Sequence, residues 1–152
     1  MLSIEQLQQK IARALEKLPI YSEPDGLYQP ISYTLSQGGK RLRPLLTLIS
    51  TQMFGGDPDK AVPAASAIEI FHNFTLLHDD IIDQAPLRRG RDTVYKKWNT
   101  NTAILSGDTM FAIAYGQLAT TDAALLSNLM KVFTKTAIEV CEGQQYDIDF
   151  EE

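Results

Sequence analysis

One cysteine, Cys141, stands in 152 residues, which excludes an intramolecular disulfide and suits a reduced, cytoplasmic setting. No apolar run reaches the roughly 18 residues that a membrane helix requires, so stable membrane insertion is not expected. The N-terminus, MLSIEQLQQKIARALEKLP, lacks the basic start and apolar core of a secretory signal. Positive charge is not in excess either. Fourteen Lys and Arg against 19 Asp and Glu give a formal net charge of −5, which speaks against nucleic acid as a partner. Any anion must therefore be held in a local basic pocket. Strand-like alternation of useful length, internal repeats, low-complexity tracts and a Ser/His/Asp or Cys/His constellation are all missing.

What is present is 44% hydrophobic residues against 22% charged ones, enough for one globular domain over 1–152 with a real core. The segments read as helices punctuated by glycine and proline. Ser3 and Gln6 have capping-box spacing; Leu7, Ile11, Ala14, Leu15 and Leu18 form one stripe, and Pro19 ends it. A short helix is expected from Pro30 to Gln37, stopped by Gly38-Gly39. Pro44 suits the first turn of the next, whose apolar face includes Leu45, Leu48, Ile49 and Met53 and which Gly55-Gly56 terminates. From about Lys60 to Asp83 runs a helix apolar on most sides, hence central. A polar, basic loop covers Gln84 to Asp92, a short helical piece Thr93 to Trp98, and two further helices Thr102–Ala119 and Asp122–Gly143. The fold class is all-α.

The long helix ends in HDDIID, residues 78–83. At about 100° per residue, Asp79 and Asp83 share one face and Asp80 flanks them. Three hard oxygen donors suit Mg²⁺, which prefers one or two carboxylates completed by water and phosphate; Mn²⁺ is an acceptable substitute. The same residues alone read equally as a solvated acidic helix end.

Two basic clusters bear on that choice. Arg88, Arg89 and Arg91 follow the acids, and Lys40, Arg41 and Arg43 lie upstream beside the glycine pair. Guanidiniums bind phosphate oxygens bidentately and lysine adds a compact charge. Basic loop residues are usually solvated, but beside an acidic cluster they favour a diphosphate site.

The stretches GGKRLRP, FHNFTLLHDDIIDQAPLRRG, AILSGD and EGQQYD, in this order and at these separations, resemble the trans-isoprenyl diphosphate synthases of the polyprenyl synthetase family. The resemblance runs from about Tyr28 to the end. It implies the N-terminal half of an isoprenoid synthase helical bundle with a central cavity, Mg²⁺, and a homodimer formed through the two helices after Thr102. The implied reaction joins an allylic prenyl diphosphate to isopentenyl diphosphate by ionisation, condensation and elimination.

By position, the resemblance assigns Asp79, Asp80 and Asp83 to Mg²⁺ ions that clamp the allylic diphosphate, and Arg88 to that diphosphate directly. Lys40, Arg43, His72 and Arg89 match the group holding isopentenyl diphosphate. His72, seven residues before Asp79, returns to nearly the same face; without the family it reads as a core histidine. Gln144 and Asp147 match the glutamine and aspartate on the allylic and metal side; otherwise the acidic end from Asp147 reads as a frayed terminus. Cys141 reads as a small packing residue.

A growing prenyl chain needs a dry channel with a floor. The family pattern makes Phe74, five residues before Asp79, that floor, and with no insertion in the aspartate motif points to C20 products, then C15. Helix geometry alone brings Phe71 nearer to Asp79, and core packing explains both aromatics equally. The family's lysine-threonine motif and second aspartate-rich motif are not found, and Lys135-Thr136 comes too early to serve. The chain is therefore expected to be half an enzyme, inactive alone. Two other readings are a noncatalytic diphosphate-binding subunit of a heteromeric synthase and a structural helical fragment with vestigial motifs.

Overall fold

The computed structural model describes residues 1–20 and 22–151. Helices carry it, in the order α1 (Ile4–Glu16), α2 (Asp25–Ser36), α3 (Leu42–Met53), α4 (Pro58–Ile82), α5 (Val94–Lys97), α6 (Thr100–Leu118) and α7 (Ala123–Glu151). Between α4 and α5 a small antiparallel hairpin pairs β1 (Leu87–Arg88) with β2 (Arg91–Asp92). The all-α expectation holds.

The first helix follows its sequence closely. Ser3 Oγ accepts from the Gln6 N–H at 3.3 Å and Gln6 Oε1 accepts from the Ser3 N–H at 2.8 Å, closing the capping box. Leu7, Ile11, Leu15 and Leu18 are buried, each contributing about 1.5–3 kcal/mol.

Central position goes to α4, packed by α6 and α3 and also touched by α1, α2 and α5. Asp57 caps it, its side chain accepting from the Asp59 N–H, and Pro58 opens it. Its weakly amphipathic sequence matches this placement: Ala65, Ala67, Ile70, Phe71 and Leu77 are buried against several neighbours at once.

Two helix boundaries and one loop differ from the sequence expectation. Helix α2 begins at Asp25, not Pro30, because Pro24 supplies an extended N-cap and Asp25 a favourable first-turn acid. Pro30 is accommodated inside it, where it leaves the Gly26 carbonyl without its usual donor. Helix α7 does not stop at Gly143. A glycine there costs only about 1 kcal/mol relative to alanine, and Gln145 Nε2 donates to Asp149 Oδ1 at 2.7 Å beyond it. The expected loop after α4 contains the hairpin. Its turn residues Arg89 and Gly90 have φ of 52° and 76°, the paired positive values that tight hairpins require.

Candidate diphosphate and metal site

The site is built where α4 ends. The Asp83 N–H donates to the Asp79 carbonyl at 2.8 Å and the Ala85 N–H to the Asp80 carbonyl at 3.0 Å, fixing the exit of the chain. The hairpin then turns Arg88 back onto the helix. Its Nε donates to Asp80 Oδ1 at 2.7 Å, and Nη2 reaches Asp79 Oδ2 at 3.4 Å.

The three aspartates are not equivalent. Asp80 is turned inward and buried beneath Arg88. Asp79 and exposed Asp83 face an open polar cleft of about 880 Å³, whose other side carries Gln144, Asp147 and Ile148 of α7. Extension of α7 past Gly143 is what brings those residues opposite the end of α4. Burial raises the Asp79 carboxyl above its ordinary value; the charges of Asp83 and Asp147 add to this, while Arg88 opposes it. Burial likewise raises Asp80, against the Arg88 hydrogen bond and charge.

A second cluster forms alongside. Arg43 Nη1 lies 3.2 Å from His72 Nε2, and because arginine only donates, that nitrogen accepts. The His72 pKa is depressed from 6.5 to about 4 by burial first and then by Arg43, Arg89 and Arg88. His72 is thus a neutral acceptor among three guanidiniums. Arg89 donates to the Gly38 carbonyl, joining the hairpin to the glycine loop that carries Lys40; the Lys40 side chain is exposed.

The sequence-selected residues therefore sort into an acidic cleft, a basic cluster and Arg88 between them. Phe71 and Phe74 sit apart, in an aromatic group with Phe111 of α6 and Phe133 of α7. Phe71 is buried and Phe74 partly so. Gln84 and Ile148 line the cleft but were not legible beforehand, since nothing in their spacing marks them.

Among the described residues, no three acidic, imidazole or thiol groups converge closely enough to enclose a cation. That donor set fits Mg²⁺ nonetheless, because Mg²⁺ usually keeps several waters and binds through one or two carboxylates plus phosphate. A cation between Asp79 and Asp83 would also relieve the repulsion that adds to burial in raising Asp79.

Comparison with known proteins identifies the family. The polyprenyl synthetase family matches residues 24–152. Geranylgeranyl pyrophosphate synthase of Geoglobus acetivorans is 47% identical over 141 residues, covering 91% of this chain and 44% of the relative. Geranylgeranyl diphosphate synthase of Methanosarcina mazei is 41% identical over 140 residues, with 91% and 43% covered. A crystal structure of a geranylgeranyl pyrophosphate synthase superposes with a TM-score of 0.94 at 52% identity, over 99% of this chain and 46% of that one. The chain thus spans less than half the length of these relatives. No helix among the described residues is long and apolar enough to cross a membrane. The chain belongs to the polyprenyl synthetase family.

Proposed function

We propose that this chain forms the allylic-diphosphate and isopentenyl-diphosphate wall of a trans-prenyltransferase. One observation carries the reading: Asp79 and Asp83 face Gln144 and Asp147 across a polar cleft, while Arg88 links that cleft to the basic cluster around His72.

In this reading Asp79, Asp83 and Asp147 hold Mg²⁺, for which Mn²⁺ substitutes, and Asp80 serves through Arg88, which it orients. Once bound, Mg²⁺ supplies the positive charge that lets a diphosphate depart. Arg88 adds a guanidinium to the same departing oxygens. Arg43, His72, Arg89 and Lys40 hold the second diphosphate and so orient isopentenyl diphosphate toward the allylic carbon. The allylic C–O bond breaks with its electron pair leaving on the diphosphate, the isopentenyl double bond supplies the electrons for the new C–C bond, and the proton lost in elimination passes to the released diphosphate. No side-chain nucleophile is required.

Products of C20 are favoured by the names of the similar geranylgeranyl synthases, and Phe74 before the aspartates keeps C15 as the next choice. Exposed Leu105, Leu125, Val132 and Ile138 on α6 and α7 favour a homodimer. The chain alone is proposed to be inactive, because it spans less than half the length of the synthases it matches.

The test is a chimera in which the 141 aligned residues replace their counterparts in the Geoglobus acetivorans synthase. Conversion of farnesyl and isopentenyl diphosphates to geranylgeranyl diphosphate is expected. A folded chimera with no Mg²⁺-dependent turnover would contradict the proposal.

A further inference from the structure

Directly before the acidic pair, His78 points away from the cleft and into the α4–α6 contact. Its ring meets Phe74 edge-on, with centroids 4.8 Å apart. On α6, Nε2 lies 3.2 Å from the Ile104 carbonyl oxygen and 3.9 Å from Asp108 Oδ1. Beneath the ring is Gly107, which is buried. A Cβ built there collides with the imidazole, Nε2 first and then Cδ2, closer than real Cβ contacts come.

Gly107 sits mid-helix, where alanine is preferred by about 1 kcal/mol. Its backbone is ordinary helix, so no positive φ demands glycine. What the missing side chain provides is a seat for the histidine. An ion pair is not needed for this: at 3.2 Å a neutral imidazole with its proton on Nε2 donates to the Ile104 carbonyl.

We infer that His78 is a positioning residue, and that its hydrogen bond to the Ile104 carbonyl across the Gly107 gap fixes the last turn of α4 so that Asp79 and Asp83 present their carboxylates to the cleft. The inference rests on the proposed metal and diphosphate reading of that cleft. The neighbouring position makes the coupling short: the contact with Ile104 ties to α6 the same helical turn that carries Asp79. Removing a group that orients metal ligands typically weakens metal affinity about 10–100-fold.

The experiment is a Mn²⁺ titration of the chain with inorganic pyrophosphate present, followed by electron paramagnetic resonance of free Mn²⁺, with thermal melts in parallel. His78→Gln keeps an N–H donor near the Nε2 position and should bind within about twofold of the wild type. His78→Leu keeps bulk without a donor and should lose about tenfold. Gly107→Ala should lose as much despite its better helix propensity, and it should lose nothing further in a His78→Ser background that already lacks the hydrogen bond, a coupling that independent sites would not show. Wild-type affinity in His78→Leu, or equal losses for Gly107→Ala with and without His78, would overturn the inference. Should Gly107→Ala fail to fold, the double variant decides: recovered cooperative melting supports the seat and continued unfolding overturns it. Absence of any Mn²⁺ binding by the wild type would instead overturn the functional reading, and this inference with it.

Discussion

Arg88 Nε donates to Asp80 Oδ1 across 2.7 Å, and the carboxylate it holds belongs to a residue only 5% exposed. Arg88 itself stays partly open, and its Nη2 reaches on to Asp79. One guanidinium thus satisfies a buried acid with one edge and keeps the other at the cleft. Fork geometry permits this; a lysine in its place offers a single point of charge.

Arg88→Ala leaves Asp80 buried without its cation. A cost of about 2 kcal/mol is expected, or roughly 6 °C in Tm for a chain of this size. In the chimera the same change should raise KM for the allylic diphosphate more than for isopentenyl diphosphate, while Arg43→Ala should do the reverse. Steady-state kinetics with each substrate varied checks this. If both variants weakened only the allylic substrate, the division of basic residues would be wrong.

The ring of His72 should remain neutral far below the usual histidine range. Below pH 6.5 the unfolded chain takes up a proton there, while the folded chain waits until about 4. This group's contribution to stability is therefore complete above pH 6.5 and is lost as pH falls toward 4. NMR titration of the ring protons measures it directly. Arg43→Ala should move the pKa part of the way back up, because burial, the larger cause, remains. A wild-type His72 titrating near 6.5 would contradict the described surroundings.

Much of this was legible in the chain because the signals were local. Ser3 and Gln6 announce α1, and the all-round apolar sequence after Pro58 announces a central helix. Other features depended on contacts that spacing does not encode. Asp80 differs from Asp79 only because the hairpin folds Arg88 over it, and that hairpin needed positive φ at Arg89, a residue that rarely adopts it. The run of α7 past Gly143, which carries Gln144 and Asp147 to the cleft, reverses the usual meaning of a glycine. The role of Gly107 was invisible for a related reason. Its demand comes from His78, on a different helix.

Product length tests the aromatic group. Phe74 touches Phe71, Phe111 and His78, so truncation opens space between α4 and α6. Phe74→Ala in the chimera should shift products toward chains longer than C20. An unchanged distribution by chromatography would return Phe74 to packing and make Phe71 the next candidate for the channel floor.

Assembly is tested by light scattering after size exclusion. Leu105 is 59% and Val132 66% exposed on α6 and α7, an apolar surface that solvent-facing helices seldom keep. A dimer or larger species is expected, and Val132→Glu should shift it toward monomer. A well-behaved wild-type monomer would contradict the homodimer proposal.

The central claim is that Asp79 and its neighbours hold a divalent cation together with a diphosphate. Calorimetric titration of inorganic pyrophosphate into the chain, with and without Mg²⁺, tests it most directly. Mg²⁺ should add a binding event beyond what the basic cluster around His72 holds without metal, and Asp79→Ala should weaken that Mg²⁺-dependent event at least about tenfold through loss of a metal ligand. Acid should weaken it as well, because the raised Asp79 carboxyl takes up its proton at higher pH than an ordinary aspartate. Pyrophosphate binding that is indifferent to both Mg²⁺ and Asp79 would contradict the claim.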